Sequence, residues 1–462
     1  MSINSQIDND RPVSGSIRIC LLSLGCPKNI VDGEEMMGML ETGGFSLVPA
    51  PEDANLVVIN TCAFIESAQR EAIDEILSLV ELKKAGDLRW LIVAGCLAER
   101  HGADLLGEIS EIDAIIGPGQ ISKIGAVISQ VVAGGRGITQ TGSFETPTPV
   151  PNRVRTGSPY TAYVKISEGC SHHCTFCMIP QLRGPQRSRP LGSIAKEVRE
   201  LASEGAQEII LVAQDTTAWG RDLPEKPDLP QLLHRLEAEE VGPTWLRILY
   251  GHVNYWTSEL TDCFISGKRL LPYIDLPIQH IADPVLKRMG RRIKGNDIRT
   301  LLSDIRSKIP DVVLRTTILV GHPGEGEDEF SQLVEFLSEF PFDRLGAFAY
   351  SPEDGSPAAE FPDRPDPEVS QERLSRVLEL QKEQAGVQRR GKIGADLEIL
   401  IEGIDPERRY AIGRSYGEAP EIDGLVYVKN LESPDKVNPG DFMSVRIIGT
   451  GPYDYVSIPR QG

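Results

Sequence analysis

Between residue 17 and about residue 137, short apolar runs alternate with amphipathic stretches. Segments 17–24, 55–60 and 90–94 have strand length, and helical patterns such as 63–82 follow them. That alternation predicts a parallel sheet covered by helices. Residues 138–159 are rich in Thr, Pro and Ser without periodicity, which predicts a linker. The alternation resumes at Tyr160, with strand candidates at 162–166, 208–213, 245–249, 273–276, 312–320 and 344–350. Six strand–helix units favour an incomplete (βα)6 parallel barrel. A charged helix over 368–390 trails it, with Leu374, Val377, Leu378 and Gln381 at helical spacing. After Gly391 the runs shorten to 397–401, 410–415, 425–428, 443–448 and 454–458, separated by Gly, Pro and Asp turns. These predict a small all-β barrel.

The expected fold is therefore α/β and multidomain. An N-terminal parallel α/β sheet domain spans 17–137 and the linker 138–159. The incomplete barrel with its trailing helix spans 160–390, and the small β-barrel 391–460. A length of 462 residues agrees with about three domains. The first sixteen residues are polar and predict a disordered tail. They do not resemble a signal peptide, and no run reaches the ~18 apolar residues of a membrane helix. The expected location is cytoplasmic, with no membrane partner. The eight cysteines are then expected to be reduced, and their clustering points to metal rather than disulfides. A net charge of −19 opposes loose binding to phosphate backbones and favours basic partners.

Cys170, Cys174 and Cys177 have the spacing C-x3-C-x2-C, with Phe176 before the last cysteine. Three thiolates from one loop can hold three irons of a cubane cluster that normally takes four cysteines. The next cysteine is Cys263, so one iron would stay open for chemistry. A zinc knuckle completed by His172 or His173 is the alternative, but zinc sites usually pair two C-x2-C hairpins and a second is lacking. The loop follows the strand at 162–166, which places it at the C-terminal mouth of the barrel, where such folds carry active sites.

Cys26, Cys62 and Cys96 each follow a predicted strand of the N-terminal sheet. Parallel strands present their C-terminal ends on one edge, so three such cysteines can converge. Nearby helix N-termini would favour thiolates. A second three-cysteine cluster is expected there. Cys20, in mid-strand, and Cys263, in an apolar helix pattern, fit the reading of small buried residues.

The cysteine run followed by a barrel resembles the radical S-adenosylmethionine enzymes. The segments Ser23–Asp32, Ile59–Ile65 and Gly95–Ala98 are similar to the N-terminal domain of the methylthiotransferases within that family. So are the runs Val212–Gly220, Asp275–His280 and Arg315–Gly321, and Pro420–Gly424 resembles the TRAM domain. The Ser-Leu-Gly-Cys-Pro-Lys-Asn form at 23–29 is similar to the branch acting on ribosomal protein S12. Gly33 stands where the family usually has Ser, and His322 where an aromatic is usual before Pro-Gly-Glu.

The resemblance implies two 4Fe-4S clusters, held by Cys170, Cys174 and Cys177 and by Cys26, Cys62 and Cys96. S-adenosylmethionine serves as methyl donor and as source of a 5′-deoxyadenosyl radical. The implied product carries a methylthio group on the β-carbon of an aspartate in ribosomal protein S12. A sulfur donor and an electron donor such as flavodoxin or ferredoxin are implied partners. The remaining candidates for cofactor contact are Phe176, Gln214, Asp215 and Gly321. Asp215 suits a helix cap equally well. Arg183, Arg187 and Arg189 read either as a solvated basic face or as a carboxylate clamp.

Residues 391–462 contain eight Lys or Arg against twelve Asp or Glu. RNA binding needs a basic surface, so RNA is the less favoured substrate. The alternatives are the same chemistry on a tRNA adenosine, and a non-catalytic, metal-stabilised adaptor that binds the ribosome.

Overall fold

The computed structural model describes residues 17–63, 65–145, 152–407, 409–431 and 436–460. The polar segment 1–16 and the middle of the segment read as a linker lie outside them. Residues 17–145 with 152–154 make one compact unit, and residues 155–460 make another. Among the described residues, no helix is long and apolar enough to cross a membrane.

The N-terminal unit is built on a six-stranded, all-parallel sheet. Its central strands are Arg18–Ser23, Leu56–Thr61 and Trp90–Gly95, adjacent in that order. Leu56–Thr61 and Trp90–Gly95 are buried at every position, as expected for strands with helices on both faces. Three short strands, Ser46–Leu47, Ala114–Ile116 and Ile138–Gln140, complete the sheet. The last lies in the segment that composition marks as linker. Three residues are too few to show an alternation, and pairing with Ala114–Ile116 fixes them as strand.

The second unit begins with six parallel strands in sequential order, open between the first and the last. They are Thr161–Lys165, Glu208–Val212, Trp245–Ile248, Leu270–Asp275, Val313–Val320 and Arg344–Ala349. This is the incomplete (βα)6 barrel. Val313–Val320 shows how its wall works: Leu314, Thr316, Ile318 and Val320 are buried, while Val313, Arg315, Thr317 and Leu319 between them are only half-buried. Leu314, Ile318 and Val320 join the main hydrophobic core. Helix Pro367–Gly391 follows the sixth strand, and its Val377 is fully buried in the same core.

Five strands then close into a barrel in the order Asp396–Asp405, Tyr410–Ser415, Val426–Val428, Tyr455–Pro459 and Phe442–Thr450. Closure leaves no exposed sheet edge. This barrel packs against the strand starts of the open barrel, where Leu400, Phe442 and Tyr416 meet Trp245 and Leu271. It therefore lies at the end opposite the cysteine loop, which follows a strand terminus.

Candidate active site

In the N-terminal unit, Cys26 caps helix Pro27–Thr42, Cys62 follows strand Leu56–Thr61, and Cys96 opens helix Cys96–Glu108. All three lie just beyond the ends of neighbouring strands, on one sheet edge. The surrounding motif residues hold those ends together. Asn29 Nδ2 donates to the Leu24 and Thr61 carbonyls at 2.9 and 3.0 Å, and Asn60 Nδ2 donates to the Asn29 carbonyl at 2.8 Å. Thr61 Oγ1 donates to the Ala94 carbonyl at 2.6 Å. Gly25 has φ +91° and would place a Cβ 2.6 Å from Cys62 Cβ and 3.2 Å from its Sγ. Gly95 has φ +93° and would drive a Cβ to 2.4 Å from the Thr61 carbonyl. Glycine at both positions lets the cysteine-bearing loops approach.

In the open barrel, Cys170, Cys174 and Cys177 are half-buried and form no disulfide. The Cys170 N–H donates to the Gly184 carbonyl at 3.0 Å, and Thr175 ties the loop to Arg288 and Met289. The three are near enough that a thiolate at Cys174 would disfavour ionisation of Cys170 and Cys177. Burial, with the neighbouring cysteines, pushes the Cys170 and Cys177 thiols up to about 12. Such thiols release their protons at neutral pH only to a strong local positive charge. Three soft sulfur donors on one loop suit iron, and the set fits an iron–sulfur cluster with one open position. Cys20, within strand Arg18–Ser23, and Cys263, in helix Ser258–Ser266, are buried, each pushed up to about 11 mainly by burial. They keep the role of small core residues.

Other candidates gather at the same barrel mouth. Phe176 packs with Ala282, Val285, Met289 and Leu319, with its ring edge-on to His322 at 6.2 Å. The Gly321 N–H donates to Glu325 Oε2 at 2.9 Å. Gln214 Nε2 donates to Glu168 Oε1 at 2.6 Å, while Gln214 Oε1 is buried without a partner. Asp215 behaves as a turn cap: Oδ1 accepts from Thr217 N–H, Thr217 Oγ1 and Ala218 N–H, and Oδ2 lies 2.6 Å from His172 Nε2.

The arginines form no solvated face. Arg183 is 2% exposed and pairs with Glu168, and Arg189 is 1% exposed and bonds the Lys165 carbonyl and Glu197. Burial opposes the Glu168 charge, but Arg183 and Lys165 outweigh it and hold the carboxyl well below the usual range. Arg187 is half-buried and donates to the Pro185 and Arg183 carbonyls.

Sequence reasoning missed a basic cavity beside the cluster loop. It measures about 820 Å³ and includes His252, Lys287, Arg291 and Arg292 in its walls. The run Lys287-Arg288-Met-Gly-Arg291-Arg292 was the available signal.

A barrel open on one side, with a three-cysteine loop at its strand ends, defines a radical S-adenosylmethionine protein. Residues 164–337 match the Radical SAM superfamily, 18–117 the uncharacterized protein family UPF0004, and 393–457 the TRAM domain. The radical S-adenosylmethionine methyltransferase TsrM of Kitasatospora setae shares the fold, with a TM-score of 0.54 at 14% identity over 72% of this chain and 75% of that one. The ribosomal protein uS12 methylthiotransferase of Desulforudis audaxviator is 44% identical over 95% of this chain and 96% of its own length. That of Clostridioides difficile is 43% identical over 95% and 98%. The chain belongs to the ribosomal protein uS12 methylthiotransferase family.

Proposed function

We propose that this chain transfers a methylthio group to the β-carbon of an aspartate in ribosomal protein S12. The observation that carries the reading is the duplication of a three-cysteine set, once at the C-terminal edge of each parallel sheet. Cys170, Cys174 and Cys177 would hold one 4Fe-4S cluster, and Cys26, Cys62 and Cys96 a second. When bound, these groups and S-adenosylmethionine supply hydrogen-atom abstraction, sulfur and a methyl group. The reaction calls for such chemistry because an sp3 C–H bond offers no acidic proton to a side-chain base.

The protein's own residues do the positioning. Asn29, Asn60 and Thr61 fix the loops bearing Cys26 and Cys62. Glu168, pinned by Arg183 and Lys165, orients Gln214 at the barrel mouth. Phe176 and His322 offer ring surfaces beside the cysteine loop. A sulfur donor and an electron donor such as flavodoxin or ferredoxin complete the cycle in the cytoplasm. The charge imbalance of residues 391–462 supports a basic protein substrate over RNA.

The test is methylthiolation by the anaerobically reconstituted protein, with purified S12 and tRNA offered in parallel. Mass spectrometry should find the added group on an S12 aspartate and not on tRNA. Product only on tRNA would overturn the substrate assignment. Binding of zinc without iron would overturn the enzyme reading in favour of an adaptor.

A further inference from the structure

The cavity beside the cluster loop contains a buried cation with no carboxylate at ion-pair distance among the described residues; the Asp215 carboxylate, committed to His172 and its own turn, lies within 4.8 Å of a His252 ring nitrogen. Arg291 is 8% exposed, and its Nε is buried without a hydrogen-bond partner. Its Nη1 lies 2.6 Å from His252 Nε2. That imidazole is 7% exposed, and its Nδ1 already accepts the Asn254 backbone N–H at 3.2 Å. Burial and then the Arg291 charge keep His252 neutral. A neutral imidazole carries one N–H. With Nδ1 accepting, that proton sits on Nε2, so two donors face each other. With the proton on Nδ1, the Asn254 N–H loses its acceptor. Either way the pocket has one donor too many.

A buried excess of donors around a guanidinium is a site for an anion. Lys287 and Arg292 are exposed on the cavity walls and add positive charge, against Asp297 as the lining carboxylate. The segment 171–174 of the cysteine loop forms another wall. Arg291 is near enough for its charge to favour the thiolates of Cys170 and Cys177. An anion held here therefore lies beside the cysteine loop.

We propose that Arg291, with His252, clamps the side-chain carboxylate of the substrate aspartate. This inference rests on the reading of S12 as substrate. The reacting β-carbon is one bond from that carboxylate, so a two-point grip on the oxygens also places the carbon. A guanidinium fork suits that grip, and a neutral amide would put an N–H against the same donors. The clamp thus selects aspartate over asparagine. The carboxylate of S-adenosylmethionine is the other possible source of the anion, but in the proposed reaction it is committed to the open iron.

The test measures binding of S12 to the reconstituted full-length protein in the presence of S-adenosylmethionine. It compares S12 carrying the target aspartate with S12 carrying asparagine there. The unsubstituted protein should prefer aspartate by about tenfold or more, and Arg291→Gln should abolish that preference. Arg291→Lys should restore part of it. The exposed-site variants Lys287→Gln and Arg292→Gln should weaken S12 binding by a few-fold without risk to the fold. The S-adenosylmethionine dissociation constant should stay within about twofold in all of them. An unchanged aspartate preference in Arg291→Gln overturns the clamp. So does a large loss of S-adenosylmethionine binding with S12 discrimination intact, which would assign the pocket to the cofactor. If the unsubstituted protein leaves S12 unmodified, the substrate reading fails and the clamp falls with it. If it modifies S12 while Arg291→Gln discriminates normally, the clamp alone fails.

Discussion

Arg414 of the C-terminal barrel bonds Glu208, the first residue of an open-barrel strand, at 2.7 Å, and both side chains are fully buried. The other Glu208 oxygen accepts from Arg247 Nε, also at 2.7 Å. Arg247 lies over the Tyr273 ring, and Tyr273 Oη donates to Asp423 of the C-terminal segment. Glu208 thus bridges two guanidinium groups where the barrels join, and Glu402 gives Arg414 a second carboxylate at 2.7 Å. Burial opposes the Glu208 charge, but Arg247 and Arg414 outweigh it and hold the carboxyl below its usual range. Glu208→Gln leaves the buried Arg247 without a carboxylate and Arg414 with Glu402 alone, and should cost about 3–5 kcal/mol in urea unfolding. The stabilisation from the ionised carboxylate is present above the unfolded-state pKa and lost as pH falls. The variant should therefore show a flatter acid limb. A loss below about 1 kcal/mol would show that the junction does not depend on this pair.

The two cysteine sets should separate functionally. Cys174→Ala should remove about four of about eight irons and abolish cleavage of S-adenosylmethionine to 5′-deoxyadenosine. Cys62→Ala should remove a similar share of iron, keep cleavage and stop methylthio transfer. Iron analysis and product chromatography on the two variants check this. Full methylthiolation by Cys62→Ala would sink the second cluster.

Gly25 tests the same site without touching a ligand. In Gly25→Ala the methyl group would lie 2.6 Å from Cys62 Cβ, on a backbone with φ +91°. The Cys62 loop must then retreat, at a cost of about 1–3 kcal/mol. The variant should bind about half the iron of the unsubstituted protein. Its cleavage of S-adenosylmethionine should be unchanged. Full iron loading would show that the loop can move without losing the cluster.

The strand plan of the N-terminal sheet, and the position of Cys26, Cys62 and Cys96 just beyond its strand ends, were legible because strands followed by cysteine repeat a local pattern. The six open-barrel strands were placed within a few residues because short apolar runs alternate with amphipathic stretches there. The partners of charged side chains were not legible. Arg183 and Arg189 find Glu168 and Glu197, and Arg414 finds Glu208 across 206 residues of chain. Asp215 was ambiguous until Thr217 and Ala218 were seen donating to it. Gly33 is explained by contact alone: a Cβ there would meet Ser23 Oγ at 2.2 Å. The cavity at Arg291 joins loops after three different strands, and no local spacing encodes that.

His322 offers a test by pH. It is fully buried, beside Phe176, Tyr350 and Phe361, at a position where an aromatic ring was expected. Burial lowers its pKa to about 4, against the opposing pull of the Pro323 carbonyl and Glu325. An unfolded histidine titrates near 6.5. Between those values the unfolded chain takes up a proton that the folded one refuses. Stability is therefore fully present above about pH 6.5 and lost as pH falls towards 4. His322→Phe removes the linkage and keeps the ring packing. Between pH 7.5 and 5.5 the unsubstituted protein should lose about 1 kcal/mol relative to the variant in urea unfolding. A difference between the two proteins that does not change with pH would show that His322 takes up its proton as readily in the folded state as in the unfolded one.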